Sequence, residues 1–198
     1  MSDYYNRNAQ QLFEKYQSLD PNKVHASWLE YLPSEAGLAL DVGAGSGRDA
    51  IWLAEMGWKV IAVEPAKSLR ELGQNASKAY SVTWSYDCLP NLTKLIDYKH
   101  KFSLILVSGV LMHLPYEKRI TSLETLINLM ATDAVLIVTL RQGPDIEDRE
   151  LYTVTADEIE QFAKEKSIEV KARKTLADEL KREGVTWHTI IVKNRTAK

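Results

Sequence analysis

The stretch Leu38-Ala39-Leu40-Asp41-Val42-Gly43-Ala44-Gly45-Ser46-Gly47-Arg48-Asp49-Ala50-Ile51-Trp52-Leu53 decides the fold of this chain. Residues 38–42 form a short, nearly unbroken apolar run, the pattern of a strand covered on both faces. Gly43, Gly45 and Gly47 follow, and glycine permits a tight turn and a close approach of a ligand to the backbone. Apolar side chains then fall at Ile51, Trp52, Leu53 and Met56 before Gly57, which predicts a helix over 46–56. A strand, a glycine turn and a helix in that order aim free helix amides at whatever lies beyond the strand, and those amides favour negative charge.

The same alternation runs outward from this unit. Residues 59–63 predict a second strand and 65–78 a second helix. Strands follow at 81–86, 102–108 and 134–140, with helices at 92–97, 116–130 and 155–166. Thr155 and Glu158 have the spacing of a capping box. The last two strands, 168–174 and 185–193, have no clear crossover helix between them and are expected to be antiparallel to each other. Before the core, Leu12, Phe13 and Tyr16 have helical spacing, Asp20-Pro21 breaks it, and 25–32 gives a second helical stretch ended by Pro33. Strands separated by helices imply right-handed βαβ units and an α/β, doubly wound, mostly parallel sheet. In such a sheet the ligand lies beyond the carboxyl ends of the strands, near the switch in strand order.

Composition bounds the function. The chain has 198 residues, 45% hydrophobic and 26% charged, which excludes disordered and fibrous classes. Its 25 basic and 27 acidic residues leave a net charge of −2, so no global positive field exists to hold nucleic acid or an anionic membrane. One cysteine, Cys88, can form neither an internal disulfide nor a cysteine metal cluster, and a reducing compartment is the simplest reading. The start of the chain is polar and the longest apolar runs, 104–107 and 134–138, are too short to span a bilayer. The expectation is a cytoplasmic, single-domain protein over 1–198, with a helical segment over 1–34 and the sheet core over 35–198. His25, His100 and His188 lack metal-ligand spacing, so no metal is expected.

The glycine spacing is G-x-G-x-G. The dinucleotide fingerprint needs glycine or alanine at position 48, where this chain has Arg48, which argues against a pyrophosphate cofactor. Glu64 ends the second strand, where a carboxylate can accept from both hydroxyls of a ribose. Together these residues describe nucleoside recognition without a pyrophosphate cradle.

The run LALDVGAGSGRDAIWLAEMGWKVIAVEPA, residues 38–66, resembles the first two motifs of the class I S-adenosylmethionine-dependent methyltransferases, and the order of elements matches over 35–193. The resemblance implies a Rossmann-like, seven-stranded sheet in the order 3-2-1-4-5-7-6 with strand 7 antiparallel. It implies that Gly43, Ala44, Gly45 and Gly47 wrap the methionine part and ribose, and that Asp41 orients that loop and the amino group. Glu64 would hold the ribose hydroxyls, Pro65 would lie beside the adenine, Asp87 and Cys88 would meet the adenine edge, and Val107 and Ser108 would run along the cofactor. Where the family often has Asp at the start of strand four, this chain has Ser103. After strand four it has Ser108-Gly109-Val110-Leu111-Met112-His113-Leu114-Pro115, similar to the small-molecule branch of the family (the methyltransferase type 11/25-like group) and unlike its Asn-Pro-Pro-Tyr branch.

The implied cofactor is S-adenosylmethionine, with S-adenosylhomocysteine as product. The implied partner is a small-molecule acceptor, anionic if the arginines below clamp it, with no nucleic acid or membrane. His113 is either a general base or a residue packed at the start of the next helix. Arg141 and Arg182 either clamp an oxyanion or sit solvated at the rim, and Trp187 either stacks on an acceptor or belongs to the core. Tyr5 and Tyr16 are candidates for a lid over the cofactor. The run 47–54 is also similar to the tellurite- and thiopurine-type group, which admits a soft thiol or oxyanion acceptor. Two other classes stand beside methyl transfer: a non-catalytic binder of the same cofactor acting as sensor or partner, and an NAD-dependent oxidoreductase, which Arg48 disfavours.

Overall fold

The computed structural model describes residues 2–144 and 149–194. Seven strands form one sheet: β1 (Leu38–Val42), β2 (Lys59–Val63), β3 (Val82–Ser85), β4 (Phe102–Ser108), β5 (Met130–Gln142), β6 (Glu169–Ala177) and β7 (Thr186–Lys193). Their order is β3-β2-β1-β4-β5-β7-β6. The pairs β1–β2, β2–β3, β1–β4 and β4–β5 are parallel, and β7 runs antiparallel to both β5 and β6. This is the expected order and direction. The strand order reverses between β1 and β4, so the crevice at their carboxyl ends is where a ligand belongs.

Seven helices, α1 (Ser2–Arg7), α2 (Ala9–Gln17), α3 (Pro21–Val24), α4 (Arg48–Glu55), α5 (Lys67–Ala76), α6 (Tyr116–Leu129) and α7 (Ala156–Glu165), complete the described residues together with three short 3-10 turns. Strand side chains alternate between the two faces. Leu40, Val42, Ile105, Val107, Leu136 and Val138 face Leu123 and Leu126 of α6 and Ile159 and Phe162 of α7. Ala39, Val60, Leu104, Leu106, Ile137 and Ile191 face Ala50, Trp52 and Leu53 of α4, with Trp28. Arg119 of α6 ties the first layer together, because Nε and Nη2 donate to the two oxygens of Glu158 at 2.6 and 2.8 Å and Nη1 donates to the Leu114 carbonyl at 2.7 Å.

Local readings differ from the structure in instructive places. Asp20-Pro21 starts a helix instead of breaking one: Asp20 accepts from the Asn22 amide at 2.9 Å, and Pro21 takes the first helical position, where its missing N–H is no loss. The helix expected over 25–32 is only a 3-10 turn, Leu29–Tyr31, and that expected over 92–97 is the 3-10 segment Thr93–Tyr98. Thr155 Oγ1 accepts from the Glu158 amide at 3.2 Å, so half of the capping box forms, while the Glu158 carboxylate is taken by Arg119. β5 starts four residues earlier than expected (Met130 against 134), directly where α6 ends.

α2 buries Ala9 and Leu12 against Ala66 and against Leu69 of α5, with Tyr4 and Tyr5 of α1 packed on the same cluster. Asn6 of α1 accepts from the Ser68 amide at 2.9 Å, so α1 supplies the side-chain cap that Ala66 cannot give α5.

Candidate functional site

A cavity of about 250 Å³ opens at the carboxyl ends of β1, β2, β4 and β5, with the start of the antiparallel β7 beside them. The glycine turn forms one end of it. The Gly43 and Ala44 amides donate to the Val63 carbonyl at 2.8 and 2.9 Å, tying the turn to β2. Gly43, Gly45 and Gly47 have φ of +70, +55 and +79°, the left-handed region that glycine enters without strain. A Cβ on Gly43 would sit 2.5 Å from Val110 Cγ2, so the loop after β4 packs on the turn only because that carbon is missing.

Glu64 closes this end. It is buried, lines the cavity, and accepts from the Gly45 amide at 2.9 Å and the Ala66 amide at 2.7 Å. Burial pushes its carboxyl above the ordinary value, against the pull of those two amides and of Arg70. Two amides leave lone pairs on the carboxylate for further donors. Beside it, Pro65, Leu69, Asp87, Cys88 and Leu89 line the wall. Asp87 accepts from the Cys88 amide at 2.8 Å and the Lys94 amide at 2.7 Å, which fixes the loop after β3.

Three residues expected at the cofactor do not line the cavity. Gly47 lies against Trp84 instead, where a Cβ would come within 2.9 Å of the indole, and Ser46 stands on the wall beside it. Val107 is fully buried within the sheet. Asp41 lies beneath the turn, where it accepts from the Ala50 amide, and its Oδ2 has no hydrogen-bond partner. Burial raises the Asp41 carboxyl well above its ordinary value of 3.8, Asp49 and Glu64 raise it further, and Arg48 offsets only part. A raised carboxyl makes ionisation a cost to the folded state at neutral pH, and the cost shrinks as pH falls. Asp41→Asn is therefore expected to raise the thermal midpoint at pH 7; a clear drop would show that the ionised carboxylate is held by a partner after all.

Arg48 stands out in the sequence only as a departure from the dinucleotide fingerprint and Asp49 not at all, yet both line the cavity. Arg48 donates through Nε and Nη2 to Asp49 at 2.7 and 2.9 Å, and His25 Nε2 lies 2.8 Å from the same carboxylate. Burial opposes the charge on Asp49, but Arg48 and then His25 outweigh it and hold the carboxyl well below its ordinary range. His25 is fully buried beside Trp28 and Trp52, with ring centroids at 4.8 and 5.0 Å.

The other end of the cavity lies over β4, β5 and β7. Ser108 Oγ and Thr139 Oγ1 are 3.1 Å apart, and both residues line it. Tyr5, from α1, reaches across to place its hydroxyl 2.9 Å from His113 Nε2, with the rings edge-on, and Arg149 Nη1 donates to the same hydroxyl at 3.4 Å. Tyr16 also lines the cavity, so both tyrosines expected over the site are there. Arg141 is buried and donates to the Gly143 and Pro144 carbonyls. Arg182 reaches this end, but its guanidinium is held by Asp178, Nε to Oδ2 at 2.9 Å and Nη2 to Oδ1 at 2.7 Å. Trp187 Nε1 donates to Asp178 Oδ1 at 2.8 Å. Burial works against the Asp178 charge, and the bonds from Arg182 and Trp187 overcome it, keeping the carboxyl well below its ordinary value.

Among the described residues no group of three or more His, Cys, Asp and Glu is arranged to hold a metal ion, and no helix is long and apolar enough to cross a membrane.

Strand order, the β7 reversal and a cavity at the β1–β4 switch define a class I methyltransferase fold. Residues 39–133 match the model of the methyltransferase domain family, and the sheet order is the one expected from the resemblance to the class I S-adenosylmethionine-dependent methyltransferases. Similar solved structures include the 1,6-didemethyltoxoflavin-N1-methyltransferase of Burkholderia thailandensis, 16% identical, with a TM-score of 0.75 over 98% of this chain and 87% of that one. The magnesium protoporphyrin IX methyltransferase of Synechocystis PCC 6803 is 16% identical, with a TM-score of 0.73 over 98% and 94%. The [4+2]-cyclase SpnF is 12% identical, with a TM-score of 0.72 over 89% and 81%, and so shares the fold. No curated protein matches the chain.

Proposed function

We propose that this protein binds S-adenosylmethionine and transfers its methyl group to a small molecule. The observation that carries the reading is Glu64, a buried carboxylate on the cavity wall already bonded to the glycine turn, with lone pairs left for a diol. The donor set fits the cofactor. Ala44, Gly45 and Ser46 border the space for the amino-acid tail, Glu64 faces the ribose, and Leu69, Asp87, Cys88 and Leu89 border the adenine. Structures similar in fold carry S-adenosylmethionine or S-adenosylhomocysteine, the Synechocystis and Burkholderia enzymes among them.

When bound, S-adenosylmethionine supplies a methyl group already activated by the sulfonium charge. What remains for the chain is alignment in line with the sulfur, exclusion of water and, for an acceptor bearing a proton, its removal. Tyr5, Tyr16, Leu19 and Val24 roof the cavity and exclude water. Tyr5, bonded to Nε2 of His113, fixes the ring, and that nitrogen takes the acceptor proton once the Tyr5 hydroxyl has given way to the acceptor. The short connections after β4 leave little surface for a macromolecular acceptor.

Calorimetric titration with S-adenosylmethionine, S-adenosylhomocysteine and NAD tests the reading. Binding of the first two and not of NAD is expected; binding of NAD alone overturns it. A product assay over a metabolite panel then separates transfer from a non-catalytic sensor. Tight cofactor binding with no methylated product from any compound would favour the sensor.

A further inference from the structure

We propose, resting on the transfer reading above, that the methyl acceptor carries a flat aromatic or heteroaromatic ring and that Trp187 is the wall against which this ring stacks. Trp187 lies at the start of β7, opposite Arg141 of β5 and Leu176 of β6, and lines the cavity at the end away from Glu64. Its indole is held at both ends. Nε1 donates to Asp178, and the far edge lies against Gly109, whose absent Cβ would fall 3.2 Å from Cη2 and 3.4 Å from Cζ3. Gly109 directly follows Ser108 at the end of β4, with φ of +67°. Packing on that glycine brings the ring close to the backbone at the end of β4.

The device that holds the indole is more than packing requires. Asp178 is only 7% exposed and receives four bonds: the Arg182 amide at 3.0 Å, two guanidinium nitrogens, and the indole N–H. A buried ion pair is a costly way to fill space, and an apolar residue at 178 would fill it with less desolvation. What the ion pair adds is a fixed acceptor for one indole N–H. An aromatic wall ordered before binding loses no side-chain freedom when a ring settles on it, and stacked rings gain beyond the apolar area they bury. Around it Met112, Leu151, Leu176 and Leu180 supply apolar surface to the same cavity. Because Asp178 already neutralises Arg182, that arginine serves the wall and not an oxyanion.

The test uses the full chain saturated with S-adenosylhomocysteine. Its ligands are a panel of bicyclic heteroaromatic amines and phenols, paired with aliphatic amines and acids of equal heavy-atom count. Calorimetry should find ring compounds that bind the wild type in preference to their aliphatic pairs. Trp187→Leu should weaken those compounds about tenfold and abolish the preference, while Trp187→Phe restores it. Asp178→Asn should weaken ring binding without changing affinity for S-adenosylhomocysteine, which separates loss of positioning from loss of the fold. The proposal is overturned if no ring compound binds the saturated protein, if the aliphatic pairs bind as well, or if Trp187→Leu and Asp178→Asn leave ring affinity unchanged. Failure of S-adenosylhomocysteine itself to bind would instead sink the transfer reading.

Discussion

Replacing Glu64 with alanine is expected to weaken S-adenosylmethionine binding by about 1.5–3 kcal/mol, the scale of hydrogen bonds to a charged group. The carboxylate is buried, its two amide bonds aim it into the cavity, and a ribose diol would complete its lone pairs. Alanine removes that acceptor and strands the Gly45 and Ala66 amides, so the thermal midpoint should fall as well. Glu64→Gln keeps the shape and one carbonyl acceptor, and should lose less affinity than alanine. The pH dependence follows from the raised carboxyl. Binding that needs the ionised form declines as pH falls through the raised pKa, so the decline sets in at a higher pH than an ordinary glutamate, at 4.5, would give. Titration calorimetry of both variants and of the wild type across pH checks all three outcomes. Unchanged affinity in the alanine variant would remove Glu64 from the site.

Asp49→Ala should destabilise the protein by about 3–5 kcal/mol, the loss seen when one partner of a buried ion pair is removed. Arg48, whose side chain is only 13% exposed, would lose its carboxylate, and His25 would lose the same partner. A loss of that size is a large part of the whole stability of a typical domain, so denaturant midpoints should show it plainly. The sign of the pH effect is opposite to that at Asp41. The folded-state pKa of Asp49 is depressed, so its stabilisation is complete above the ordinary value of 3.8 and is lost only as pH falls below that toward the depressed one. Equal stability of wild type and variant at pH 7 would mean that Arg48 finds another anion on removal of Asp49.

The parallel core was legible because its strands are covered on both faces and therefore read as plain apolar runs, as at 104–107 and 134–138. The edge strand β6 was read too short, since residues 175–177 have a half-exposed pattern that no longer resembles a core strand. The motif also located the turn but not the orientation of each glycine. Gly47 looks equivalent to Gly43 in sequence, and only the folded chain turns it toward Trp84. Arg182 and Asp178 are four residues apart in an irregular segment, where spacing carries no rule for pairing, so the sequence gives no sign that this guanidinium is bonded to a carboxylate within the chain. The contact between Tyr5 and His113 spans 108 positions, and both residues were singled out separately without any local signal to join them.

The bond from the Ser68 amide to Asn6 gives the first turn of α5 a second use. That hydrogen is shielded from solvent while the Asn6 oxygen holds it, so its exchange needs this tie between α1 and α5 to break. One backbone amide thus reports on the seam between the leading helix and the core, and its exchange rate, followed with and without nucleoside, measures how firmly a bound ligand clasps the two together.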